Sequence, residues 1–151
     1  MKTLKIYPIA RNILFLFLAI IMALTFDSCA TKTKFARSTI VPAAEGVVSV
    51  KQDKNDNYVI NVNISNLADP MYLQHPRSTY VVWMEGDDNE TKNIGQIKSS
   101  NSFMSKSLKG SFETVSSVKP KKIFLTAEND PSVQYPDNTD VILTTNYLKD
   151  K

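Results

Sequence analysis

The sharpest pattern along the chain is a strict alternation from Tyr58 to Ser65. Tyr58, Ile60, Val62 and Ile64 fall on one side, while Asn61, Asn63 and Ser65 fall on the other. A period of two with one polar face predicts a half-buried antiparallel strand. The preceding segment, Glu45 to Gln52 (EGVVSVKQ), reads as its partner, and Asp53 to Asn57 between them is dense in turn formers. A hairpin is therefore expected over 45–65. Asn66 to Pro70 should break the second strand, and Pro76 blocks an early restart, so residues 66–77 read as a long connection crossing between sheets.

Ser78 to Glu85 (STYVVWME) is apolar on both faces at its centre, as a central strand covered on both sides would be. Gly86 to Asn89 reads as a tight turn and Lys92 to Lys98 as the return strand, where Gly95 marks a bulge or a close backbone approach. Phe103 to Val115 reads as one strand or two short ones, ended by Pro120. Lys122 to Glu128 is a further strand with Ile123 and Leu125 on one face. Asn129 to Pro131 is a turn, and Val141 to Leu148 is the last strand. About seven short strands with turn signals at regular spacing predict an all-β chain folded as an antiparallel β-sandwich, Ig-like in strand number. A closed barrel is the alternative. The Cys pair that flanks the core Trp of true Ig domains is missing, since Cys29 is the only cysteine.

The N-terminus follows a different pattern. Lys2, Lys5 and Arg11 precede an unbroken apolar run, Ile13 to Leu24. A charged start, a short apolar stretch and a small residue before a processing point describe a secretory signal. The run is shorter than the roughly 20 residues that span a bilayer core. Thr25-Phe26-Asp27-Ser28-Cys29 follows, and this segment resembles the lipobox of bacterial lipoproteins. Ser28 fits that pattern, whereas Phe26 and Asp27 depart from it. The resemblance implies lipidation of Cys29 and removal of residues 1–28. The expected organisation is a signal peptide (1–28), a lipidated Cys29 with a polar tether to residue 40, and a sandwich domain over 41–151. The expected location is the bacterial envelope, anchored to a membrane by the lipid and facing the periplasm or the cell surface.

Charge removes one class of partner. The chain has 18 basic and 15 acidic residues. Without Lys2, Lys5, Arg11 and Asp27, 15 basic and 14 acidic residues remain, a nearly neutral domain. Nucleic-acid binding depends on clustered Lys and Arg, so no nucleic-acid partner is expected. An envelope protein is the expected partner.

Candidate chemistry is sparse. His75, the only histidine, lies in the 66–77 connection with no legible nucleophile or orienting acid, and is read as a solvated loop residue. Asp53-Lys54-Asn55-Asp56-Asn57 opens with calcium-loop spacing, but Tyr58 and Ile64 stand where Gly and Glu are required, so a hairpin turn is preferred. Asp87, Asp88 and Glu90 form an acidic turn read as a solvated tip. Asn63-Ile64-Ser65 and Asn89-Glu90-Thr91 match a glycosylation motif that carries little information in a bacterial lipoprotein. Tyr80, Trp83 and Tyr135 are the candidate ligand contacts, with Trp83 favoured as core. No catalytic residue, metal site or cofactor is expected. The leading expectation is a non-enzymatic interaction or sensing module. A surface-assembly subunit or a glycan-binding module stacking on those aromatics are the alternatives.

Asn66 to Pro70, then Tyr80-Val81-Val82-Trp83-Met84, then Asn93-Ile94-Gly95-Gln96-Ile97 occur in an order similar to the extracytoplasmic C-terminal domain of anti-sigma-K-type factors. Leu125 to Glu128, Pro131 to Pro136 and Val141 to Leu143 continue that order. The resemblance covers roughly residues 58–145 and implies a small extracytoplasmic β-sandwich without established catalytic residues. In that family a cytoplasmic sigma-binding segment precedes a membrane helix. Here only 12 residues precede the apolar run, so a sigma-binding role is not expected to carry over.

Overall fold

The computed structural model describes residues 12–13, 30–101 and 108–148, and side chains are described outside 98–101. Cys29 and the expected signal segment, apart from residues 12–13, lie outside the described residues, as does the 103–107 part of the Phe103–Val115 segment. Nine strands are present among the described residues: β1 (Thr31–Lys34), β2 (Glu45–Gln52), β3 (Tyr58–Leu67), β4 (Thr79–Gly86), β5 (Thr91–Gln96), β6 (Lys98–Asn101), β7 (Leu108–Ser116), β8 (Pro120–Glu128) and β9 (Val141–Thr144). They form a five-stranded sheet in the order β1-β2-β3-β7-β6 and a four-stranded sheet in the order β5-β4-β8-β9. All pairings are antiparallel. The chain is an all-β sandwich.

The core lies between the sheets. Val48, Ile60, Val62 and Ile64 face inward from one sheet, opposite Val82, Met84, Ile123 and Leu125 of the other. The β2–β3 hairpin forms in the register that the alternation dictates, from Glu45 opposite Ser65 to Gln52 opposite Tyr58. Its turn is held by Asp53 Oδ1, which accepts from the Asn55 and Asn57 amides at 2.8 and 2.9 Å. A carboxylate that closes its own turn is a local alternative to ladder bonding and ends both strands. The 66–77 connection carries the chain from one sheet to the other, as expected.

Several expectations need correction. Residues 30–40 are not a free tether, because Thr31–Lys34 pairs with Val47–Val50 as an edge strand. Phe35 then bridges to Thr145, and the Ala36 amide donates to Thr144 O, so this segment joins the two sheets. β3 runs on to Leu67 through a bulge at Asn66, which adopts a left-handed φ of 58° that Asn tolerates. Pro120 opens β8 instead of closing the preceding section, and β9 ends at Thr144 instead of Leu148.

The expected return strand divides in two. β5 belongs to the four-stranded sheet and β6 to the five-stranded one, with buried Ile97 between them. The Ile97 amide still donates to Tyr80 O at 3.0 Å. The bulge predicted at Gly95 is present, for the β4–β5 register shifts between Val82 and Trp83. Gly95 has φ 136°, and a Cβ there would lie 2.6 Å from Phe112 Cε2 of the opposite sheet. Both reasons demand glycine.

Candidate functional site

The two outer faces of the sandwich differ in cover. On the four-stranded sheet, Trp83 of β4 lies opposite Phe124 of β8, ring centroids 6.2 Å apart and nearly parallel. Val81 and partly buried Val133 complete this second apolar cluster. Val133 belongs to the 129–140 loop, which folds over the sheet. Asn93 of β5 fastens that loop, its Nδ2 donating to Pro131 O at 2.9 Å and to Val133 O at 2.8 Å.

A chain of polar contacts completes the cover. Trp83 Nε1 donates to Thr126 Oγ1 at 2.8 Å, and that hydroxyl donates to Glu128 Oε1 at 2.6 Å. The same carboxylate oxygen accepts from the Asp137 amide at 3.0 Å. Asp140 ends a short 3₁₀ turn over Asn138–Asp140, and Asp137 caps it by accepting from the Thr139 amide. Arg77, at the end of the 66–77 connection, spans both aspartates. Its Nε donates to Asp140 Oδ2 at 2.8 Å and its terminal nitrogen to Asp137 Oδ2 at 2.7 Å. His75 Nδ1 sits 3.1 Å from Asp140 Oδ1.

Electrostatics follow from these bonds. Burial alone would raise the Asp140 carboxyl. Hydrogen bonds from His75 and Arg77 outweigh it and hold the group below its ordinary value. The Thr139 hydroxyl and amide hold Asp137 low, helped by Arg77. The hydrogen bond to Asp140 raises the Arg77 guanidinium. A guanidinium shared by two carboxylates pins both loops in one geometry. His75 is exposed, as expected, but it is paired with a buried carboxylate instead of free in solvent.

The sequence-predicted contacts separate here. Tyr80 and Trp83 are buried, at 2% and 0% exposure, and neither can present a face to a ligand. Tyr80 is inward core. Its hydroxyl donates to Ala68 O at 2.9 Å, and burial, with the charge of Asp69 second, pushes its pKa above the ordinary phenol value. Tyr135 is 84% exposed on the 129–140 loop and remains available. Lys92 pairs with Asp88 at 2.7 Å and Glu90 at 3.1 Å, so the acidic turn is internally neutralised in part. Among the described residues no group of three or more His, Cys, Asp and Glu side chains could hold a metal ion.

The outer face of the five-stranded sheet is open. At its β3 C-terminal end lies a groove of about 740 Å³, within the size range of small-molecule sites. Asn63, Ser65, Ser111 and Val47 supply its floor, Phe35 and Pro42 line it, and Lys34, Arg37 and Lys109 surround it with Glu45. Sequence reading missed this groove, and it missed Arg77, Asp137 and Asp140 as partners. The basic character of residues 30–40 was the one signal for the groove. Pairing Arg77 with Asp140 spans 63 positions, a separation no local pattern reports. Comparison with known proteins finds no matching family model, no matching curated protein and no matching solved structure.

Proposed function

We propose that the chain is a lipid-anchored, extracytoplasmic β-sandwich that works as a non-enzymatic interaction module in the bacterial envelope. The N-terminal pattern supports the anchor: basic residues, the Ile13–Leu24 apolar run and a single cysteine at the processing point. The observation that carries the reading is the position of β1. Thr31 opens a strand laced into the five-stranded sheet only two residues after Cys29. A lipid on that thiol would hold the domain close to the bilayer at the end where the 53–57 hairpin turn lies, because Thr31 pairs with Val50 near that turn. Lys34, the groove and the 66–77 connection lie toward the opposite end, at the far ends of the ladders. The surfaces open to a partner would then face away from the membrane.

The titratable groups clustered at that far end, His75, Arg77, Asp137 and Asp140, spend their bonds on fastening the 129–140 loop, which favours a rigid recognition surface over acid–base chemistry. Intact mass of membrane-extracted protein tests the anchor directly. Acylated Cys29 as the first residue is the expected result, and Cys29→Ala should release the protein from membranes. An unmodified thiol at that position would overturn the anchor. Crosslinking in intact cells should trap an envelope protein through the far end, and Tyr135 is the exposed aromatic to label first.

A further inference from the structure

We infer that the groove on the five-stranded sheet binds an acidic oligosaccharide. Three observations carry this. Lys34, Arg37 and Lys109 line one groove, and none of them has an ion-pair or side-chain hydrogen-bond partner among the described residues. Arg77 is engaged by two aspartates, Lys92 by Asp88 and Glu90, and Lys121 by Asn89, whereas exposed lysines such as Lys51 and Lys54 stand outside the groove. What sets Lys34, Arg37 and Lys109 apart is that they share one lining. Three cations facing a single carboxylate, Glu45, leave the groove with a positive surplus suited to an anionic ligand.

The spacing of the cations favours a chain over a single anion. Lys34, Val47, Asn63 and Ser111 stand opposite one another on four neighbouring strands. They make one row across the sheet, three strand spacings or about 14 Å long. Lys34 closes one side of that row, and Lys109, two residues from Ser111 on the same face, closes the other. A lone phosphate could not engage both sides, whereas a ligand with repeated carboxylates could.

The floor then separates glycan from peptide. β2 and β3 are interior strands, paired on both sides, so their backbone groups are spent and a peptide cannot add as a strand. What remains to read a ligand is side chains: the exposed Asn63 amide and the Ser65 and Ser111 hydroxyls, beside the apolar surface of Val47. Amides and hydroxyls spaced over a partly apolar floor match a sugar's hydroxyls and its ring face.

Calorimetric titration of the full-length, detergent-extracted protein tests this with three probes: hexagalacturonate, its methyl ester and hexaglutamate. Hexagalacturonate should bind, the ester should bind far more weakly, and hexaglutamate should bind weakly. Lys34→Glu combined with Lys109→Glu should weaken hexagalacturonate by about tenfold or more, and Asn63→Ala by a few-fold, with thermal unfolding unchanged in both. Lys54→Glu, in the 53–57 turn outside the groove, should leave binding intact. No binding of hexagalacturonate, equal binding of the ester, or indifference to the double charge reversal would overturn the inference. Equally tight binding of hexaglutamate would reduce the groove to a nonspecific cationic surface and would overturn it as well. The titration is read without a membrane, so its failure leaves the lipid-anchor reading standing.

Discussion

The two outer faces of this sandwich are built from the same kind of strand and put to opposite uses. The four-stranded sheet carries Trp83, Phe124 and Val81 outward and covers them with the 129–140 loop. The five-stranded sheet carries Asn61, Asn63, Ser111 and Glu113 outward and leaves them uncovered. The difference shows where the aromatic residues of a strand-rich domain belong. A Trp on an outer face is a ligand platform only if nothing crosses it, and here Val133 and a polar chain from Thr126 to Arg77 do. The face with the weaker hydrophobic signal is the one with a groove.

The largest effect should come from the covered face. Trp83→Ala removes a fully buried ring, its stacking on Phe124 and the donor to Thr126. It should cost about 3–5 kcal/mol in urea unfolding. A loss below 1 kcal/mol would mean that the cover is loose and the comparison fails.

Next comes the lock on the loop. Arg77→Met leaves the buried Asp140 carboxylate with the exposed His75 as its remaining side-chain partner. The expected loss is about 1–3 kcal/mol, with faster amide exchange confined to the 129–140 loop. Global loosening would assign Arg77 to the core instead. Gly95→Ala tests the seam between the faces. Its positive φ and the 2.6 Å approach that the added Cβ would make to Phe112 give roughly 1–3 kcal/mol of destabilisation as the expected outcome.

Acid should act on the covered face through the same aspartates. Asp137 and Asp140 ionise more readily folded than unfolded. Their contribution is therefore complete above the unfolded value near 3.8 and is lost as pH falls through the lower folded values. Stability measured between about pH 5 and 2 should decline with a slope that Arg77→Met flattens. The smallest effect belongs to the open face. Lys34→Ala with Lys109→Ala should change stability by no more than about 0.5 kcal/mol, since neither side chain has an ion-pair or side-chain hydrogen-bond partner among the described residues.

Much of the fold was legible because strands declare themselves by alternation. Tyr58–Ser65 and its partner gave a hairpin in the correct register, and the two-sided apolar centre of STYVVWME marked β4 as interior. β1 was not legible. Thr31–Lys34 has no apolar face, and its lysines are what an edge strand carries to discourage further pairing. The switch at Ile97 was hidden because one strand that changes sheets reads as one strand. The candidate sites were less legible still. Trp83 needed a cover, but the loop that supplies it lies some 50 positions away in sequence. Lys34 and Lys109 come together only through the ladder that joins β1, β2, β3 and β7.

Trp83 is the only tryptophan in the chain, so its fluorescence reports on the covered face alone. Iodide quenching of the intact, folded protein tests the central claim most directly. A blue-shifted emission that iodide barely quenches, turning red-shifted and quenchable in Asn93→Ala or on unfolding, is the result this structure predicts. Emission from the native protein that is quenched as readily as free tryptophan would show an open ring. It would return Trp83 to the role of ligand platform and contradict the contrast between the two faces.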